Sequence, residues 1–132
     1  MPVIEGYTDT EVLQEILSRY YHIKQRRTGF RVFDLFATIV ESSILPVLPA
    51  GIFRARFLAG EKAAAKLSPR DLIHLAVMSN NGIAHVITAD KGFEAIPGIR
   101  VISSSKRNNS TNSILYCFSQ VIFHCNKYEY IL

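Results

Sequence analysis

The sequence predicts an α/β fold, a parallel sheet flanked by helices, and three observations carry that expectation. Four segments place apolar residues at helical spacing. A short run rich in β-branched residues, His85–Thr88, follows the last helical segment, and turns lead from it into a second, Ile99–Ile102. The resulting order of helix, helix, strand, helix, helix, strand, strand is that of the back part of a parallel α/β sandwich.

The totals bound the function. A chain of 132 residues suits one domain with a modest core. Hydrophobic residues at 48% and charged residues at 20% exclude a disordered chain. A net charge of +4 and a pI near 9.2 are compatible with a nucleic-acid partner. No uninterrupted apolar stretch is long enough to cross a membrane, and Glu5 and Asp9 make the N-terminus unlike a signal peptide. Cys117 and Cys125 both lie in the tail, without a CxxC or paired histidines, so they support neither a zinc site nor a disulfide framework. The expected location is the reducing cytoplasm.

In chain order, Thr8-Asp9-Thr10-Glu11 reads as a capping box opening a helix through about Ile23. Val12, Leu13, Ile16, Leu17 and Tyr20 form its inner face, and Glu15 lies on the flank, where an ion pair with Arg19 is the plain expectation. Lys24–Arg31 is a basic connection with Gly29 as its breaker. Phe30–Val40 is a second helix, with Phe33, Phe36, Ala37 and Val40 inward. Ile44–Leu48 is a short strand whose proline favours the sheet edge. Ala50–Lys66 is a helix with Ile52, Phe53, Phe57 and Leu58 inward and Arg54, Arg56 and Lys62 outward.

The next stretch, Leu67–Ile102, carries the chemistry. Ser68-Pro69-Arg70-Asp71 is a strong helix start, with a capping serine, a proline at the first helical position and an acid three residues after the cap. Asn80-Asn81-Gly82 ends that helix, and His85–Thr88 follows as a strand with Asp90 just past its end. In open parallel sheets, ligands collect beyond the carboxyl ends of the strands. Convergent carboxylates there suit a hard divalent cation. Spacing alone leaves two readings open for each acid: Asp71 as ligand or capping partner, Asp90 as ligand or turn residue. His74, one turn beyond Asp71, reads as a hydrogen-bonded structural histidine.

The pattern SPRDLIHLAV…GIAHVITADKGFEAIPGIRVI resembles the C-terminal half of a PIN domain, the nuclease fold of VapC-type toxins. Thr88-Ala89-Asp90, Phe93 and Ile96-Pro97-Gly98 match its T-x-D and F-x-x-I-P-G elements, and Glu15 falls at the position of the family's helical acid. The resemblance covers about Thr8 to Ile102 and implies a three-layer PIN-like sheet. It departs from the family in lacking the opening strand, which lies centrally in the sheet and bears a first catalytic Asp; neither Glu5 nor Asp9 is assigned to such a strand. A smaller departure is Gly92, where many relatives have a further acid.

The implied activity is hydrolysis of RNA phosphodiesters by a metal-dependent endoribonuclease of the toxin–antitoxin type. Glu15, Asp71 and Asp90 are then the catalytic and metal-binding groups, with Mg²⁺ or Mn²⁺ as cofactor. RNA, a small antitoxin and a second copy in a homodimer are the implied partners, and Arg26, Arg27 and Arg31 could hold RNA phosphates. The absent first Asp leaves an alternative, an inactive PIN remnant that keeps an antitoxin-binding or self-association surface. The organisation expected is a PIN-like domain over 1–102, truncated at the front, a polar linker over 103–113 and an apolar, aromatic tail of open role over 114–132.

Overall fold

In the computed structural model, residues 6–40, 43–88, 90–103 and 123–125 are described. Strand β1 (Gly6–Asp9) comes first, where the sequence suggested a helix start. Thr8 does not cap: its N–H donates to Ser43 O at 3.0 Å, and Thr8 and Asp9 pair in parallel with Ile44 and Leu45 of β2 (Ile44–Leu45). The cap falls one residue later. Asp9 Oδ1 accepts from Val12 N at 3.1 Å and opens α1 (Thr10–His22). Asp9 therefore ends a strand, a correction to the sequence reading, because four residues led by glycine carry too little alternation to be recognised.

Helix α2 (Arg26–Val40) begins earlier than expected, so all of the basic stretch but Lys24 and Gln25 lies in its first two turns and Gly29 does not break it. Gly29 lies against Tyr20 of α1, and a Cβ there would stand 2.5 Å from Tyr20 Cβ. The glycine thus marks a close helix crossing. Val12, Ile16, Tyr20, Phe36 and Val40 form the core between these helices and the sheet. Strand β2 stops before Pro46 and lies at an edge of the sheet, as a proline nearby favours.

Helix α3 (Pro49–Leu58) is shorter than predicted and followed by a single 3₁₀ turn at Lys62–Ala64. Its inward face is also different. Gly51 and Ala55 are buried, whereas Ile52, Phe53 and Phe57 are exposed, Phe53 by 75%. Small residues four apart let α3 lie close on α4 (Pro69–Asn80), and that contact turns the large apolar side chains outward. The predicted capping box on α4 is present, with Ser68 and Asp71 bonding each other's backbone N–H. Strand β3 (His85–Thr88) leads through a 3₁₀ turn at Lys91–Ala95 into β4 (Arg100–Ser103), Gly98 taking φ +79° in the tight turn between. Leu72, Leu75, Ala76, Met78, Val86 and Phe93 fill the second core.

A fifth strand, β5 (Phe123–Cys125), comes from the tail. The sheet order is β2-β1-β5-β3-β4. Strands β1 and β2 pair in parallel, as do β3 and β4, and β5 runs antiparallel to both β1 and β3. Strands β1 to β4 therefore point one way, as expected of a parallel sheet, and their carboxyl ends share one edge. The central place, where the resemblance puts an opening strand, holds β5. Ser103, the expected start of the linker, ends β4; the rest of the linker and most of the tail, 104–122 and 126–132, lie outside the described residues.

Candidate active site

Three elements meet at the carboxyl edge. β1 delivers Asp9 at its end, α4 delivers Arg70, Asp71 and His74 from its first turns, and β3 leads directly to Thr88 and Asp90. Helix α1 passes alongside and contributes Glu11 and Glu15.

Asp71 and Asp90 come together. Asp90 is set by its own turn: its Oδ1 accepts from Gly92 N at 2.8 Å, and its N–H donates to Thr88 Oγ1 at 3.0 Å. Asp71 Oδ2 accepts from Ser68 Oγ at 2.7 Å. The Asp90 carboxyl lies close enough to act on Asp71, whose pKa burial raises above its ordinary 3.8, against the lowering effect of Ser68. The adjacent Asp90 charge raises it further. Such a pair gains from a cation or a shared proton. Gly92 leaves little space beside it, since a Cβ there would meet Leu67 Cδ2 at 3.0 Å and Asp90 Oδ1 at 3.1 Å.

Glu15 is not on an exposed flank paired with Arg19. It is buried and pairs with Arg70, whose Nη1 lies 3.0 Å from Oε1, while Arg70 Nε lies 3.4 Å from Glu11 Oε1. A helical wheel counts only the helix's own faces; here α4 covers the flank. Burial raises the Glu15 pKa, Arg70 and His74 oppose that shift, and Asp71 adds to it. The three carboxylates predicted from sequence thus influence one another. Even so, among the described residues no three His, Cys, Asp or Glu side chains are grouped so that they could hold one ion. The Asp71–Asp90 pair fits a hard cation by its oxygen chemistry, whereas Glu15 is engaged by a guanidinium.

Behind these groups lies a buried pair that the sequence did not disclose. His74 Nδ1 donates to Asp9 Oδ2 at 2.6 Å, and neither residue is exposed. The structural role expected of His74 is met by this bond. Its Nε2 and Thr8 Oγ1 are buried without a hydrogen-bond partner among the described residues. No local signal gives Asp9 or Arg70 away, because their partners are far along the chain.

The sequence pattern of the PIN domain family matches residues 3–99. The chain belongs to the PIN domain family. Two curated relatives are each 38% identical over 93 residues, covering 70% of this chain and 69% of theirs: VapC ribonuclease Mb1869c of Mycobacterium bovis and ribonuclease VapC13 of Mycobacterium tuberculosis. No solved structure gives a significant match. Within this PIN chain, no helix of the described residues is long and apolar enough to cross a membrane.

Proposed function

We propose that this PIN-domain protein is a cytoplasmic, metal-dependent endoribonuclease of the toxin–antitoxin type that hydrolyses RNA phosphodiesters. Glu15, Asp71 and Asp90 are its catalytic and metal-binding residues, and Mg²⁺ or Mn²⁺ is its ion. The observation that carries this reading is the placing of Asp71 and Asp90 together at the carboxyl edge, where the Asp90 charge acts on Asp71 and a cation would relieve it. The VapC ribonuclease names of the relatives support the activity, and so does the basic balance of the chain.

When bound, the ion supplies a Lewis acid for phosphate oxygens and a water acidic enough to attack at neutral pH. The chain's own residues prepare the place. Ser68 and the Gly92 N–H fix the Asp71 and Asp90 carboxyls in orientation before anything binds. Arg70, with 43% of its side chain exposed, offers a guanidinium at the rim that suits a phosphate. Glu15, paired here with Arg70, is the further carboxylate that would hold the ion. A small antitoxin and a second copy are the protein partners in this reading. The exposed Leu48, Ile52, Phe53 and Phe57 of α3 and its approach supply apolar surface for one of them.

The alternative, an inactive remnant with a binding or self-association surface, is favoured by the Glu15–Arg70 pair and by the lack of three convergent ligands among the described residues. The deciding experiment is cleavage of a mixed RNA pool by the purified chain with Mg²⁺ or Mn²⁺ and with EDTA, beside Asp90→Asn. Metal-dependent cutting that the variant lacks is the expected result. No cutting by a folded chain replaces the nuclease reading with the remnant.

A further inference from the structure

We propose that the slot between β1 and β3 is a strand-acceptor site, and that its occupant is the carboxy-terminal segment of the same chain. Strand β5 is thereby the element that sets the spacing between the two halves of the carboxylate site.

The sheet consists of two parallel pairs, β2–β1 and β3–β4, joined through β5. Gly6 and Tyr7 pair with Cys125 and His124 on one side, and His85, Val86 and Ile87 pair with Cys125, His124 and Phe123 on the other. With strands about 4.8 Å apart, the axes of β1 and β3 stand about 9.6 Å apart, a gap one strand wide. An empty slot has two outcomes. Backbone N–H and C=O groups of Gly6, Tyr7 and His85–Ile87 lose their partners in the middle of the sheet. Otherwise the halves close by about one strand spacing, which moves Asp9 off His74, now 2.6 Å away, and shifts α1 with Glu15 against α4 with Asp71.

The chain path explains both the occupant and its direction. Strand β4 ends at Ser103 opposite Thr88, and β5 begins at Phe123 opposite Ile87, so both points lie at the carboxyl edge on either side of β3. A strand that starts in the slot at that edge runs antiparallel to β1 and β3, as β5 does. About three extended residues cross two strand spacings, and residues 104–122 provide far more. Tethering gives the segment an effective concentration in the millimolar range, well above that of a second copy at micromolar protein.

The test uses the full chain and does not depend on nuclease activity. Cys117→Ser leaves Cys125 as the remaining native thiol of two. Gly6→Cys or His85→Cys is then added, since both positions lie opposite Cys125. Directly opposed residues in an antiparallel pair have Cα atoms about 4.5–5.5 Å apart, within disulfide range. Mild oxidation should give a reducible intrachain cross-link in both variants, seen as a faster-migrating monomer and confirmed by peptide mass. Cross-linked dimers would show that the strand comes from a second copy and overturn the same-chain occupant. Absence of any cross-link in either variant, with circular dichroism like the parent's, overturns the slot itself. Having two variants guards against one failing to fold.

Discussion

Replacing Asp90 by Asn should make the metal-free protein more stable and the metal-loaded comparison reverse. The amide keeps the Oδ1 acceptor for Gly92 N–H, now at 2.8 Å, so the turn after β3 survives. What goes is the negative charge against Asp71. Two unit charges about 4 Å apart at an effective dielectric near 20 repel by about 4 kcal/mol. Both acids are partly exposed, so solvent screens much of that repulsion. A net gain of about 1 kcal/mol is therefore expected, the usual size for relieving a functional site. In a domain of this size that is a rise in Tm of about 4 °C.

The sign with pH follows from the raised Asp71 pKa. The native state binds that proton more tightly than the unfolded chain, so the repulsive cost is fully present above the native value. It fades as pH falls toward the ordinary 3.8. The advantage of the variant in EDTA is thus greatest at neutral pH and gone near pH 4. Excess Mn²⁺ at about 100 times its Kd should stabilise the parent by about 2.7 kcal/mol and leave the variant nearly unmoved. Thermal melts in EDTA and Mn²⁺ at two pH values read all of this. The reasoning is refuted if the variant melts lower than the parent in EDTA at neutral pH, or if Mn²⁺ shifts both equally.

Arg70→Ala should destabilise by about 2 kcal/mol, because the buried Glu15 loses its counter-charge. Adding Glu15→Gln should restore about half of that, and a double-mutant cycle by urea melts checks it; additive effects would mean the pair contributes nothing. Gly29→Ala should lower stability by about 1–3 kcal/mol although alanine is the better helix former, since its Cβ would lie 2.5 Å from Tyr20 Cβ. An increase in Tm would show that α1 and α2 part easily.

Much of the second half of the site is legible in the sequence. Ser68-Pro69-Arg70-Asp71 fixes a helix start through its own backbone bonds, and the turn at Asp90 closes on Gly92 two residues away. Short-range chemistry of that kind needs no knowledge of the rest of the fold. The apolar spacing of Val12, Ile16 and Tyr20 likewise identifies the inner face of α1, because those residues are buried whatever covers them.

Misreadings begin where a residue's surroundings come from elsewhere in the chain. Glu15 looks exposed on its own helix and is buried by α4; Phe53 looks like core and is exposed because Gly51 and Ala55 make the close contact. Asp9 looks like part of a helix cap, yet β2 pairs with the residues around it and His74 bonds its carboxyl. The sequence by itself determined that four helical segments and the last two parallel strands form, and which acids flank those strands, since local hydrogen bonds and periodic burial specify these. Only the tertiary structure decided that Arg70 holds Glu15, that Asp9 joins His74, and that β5 lies between β1 and β3. Each is a pairing between segments distant along the chain, and the free energy that selects it comes from burial and backbone satisfaction in the assembled sheet.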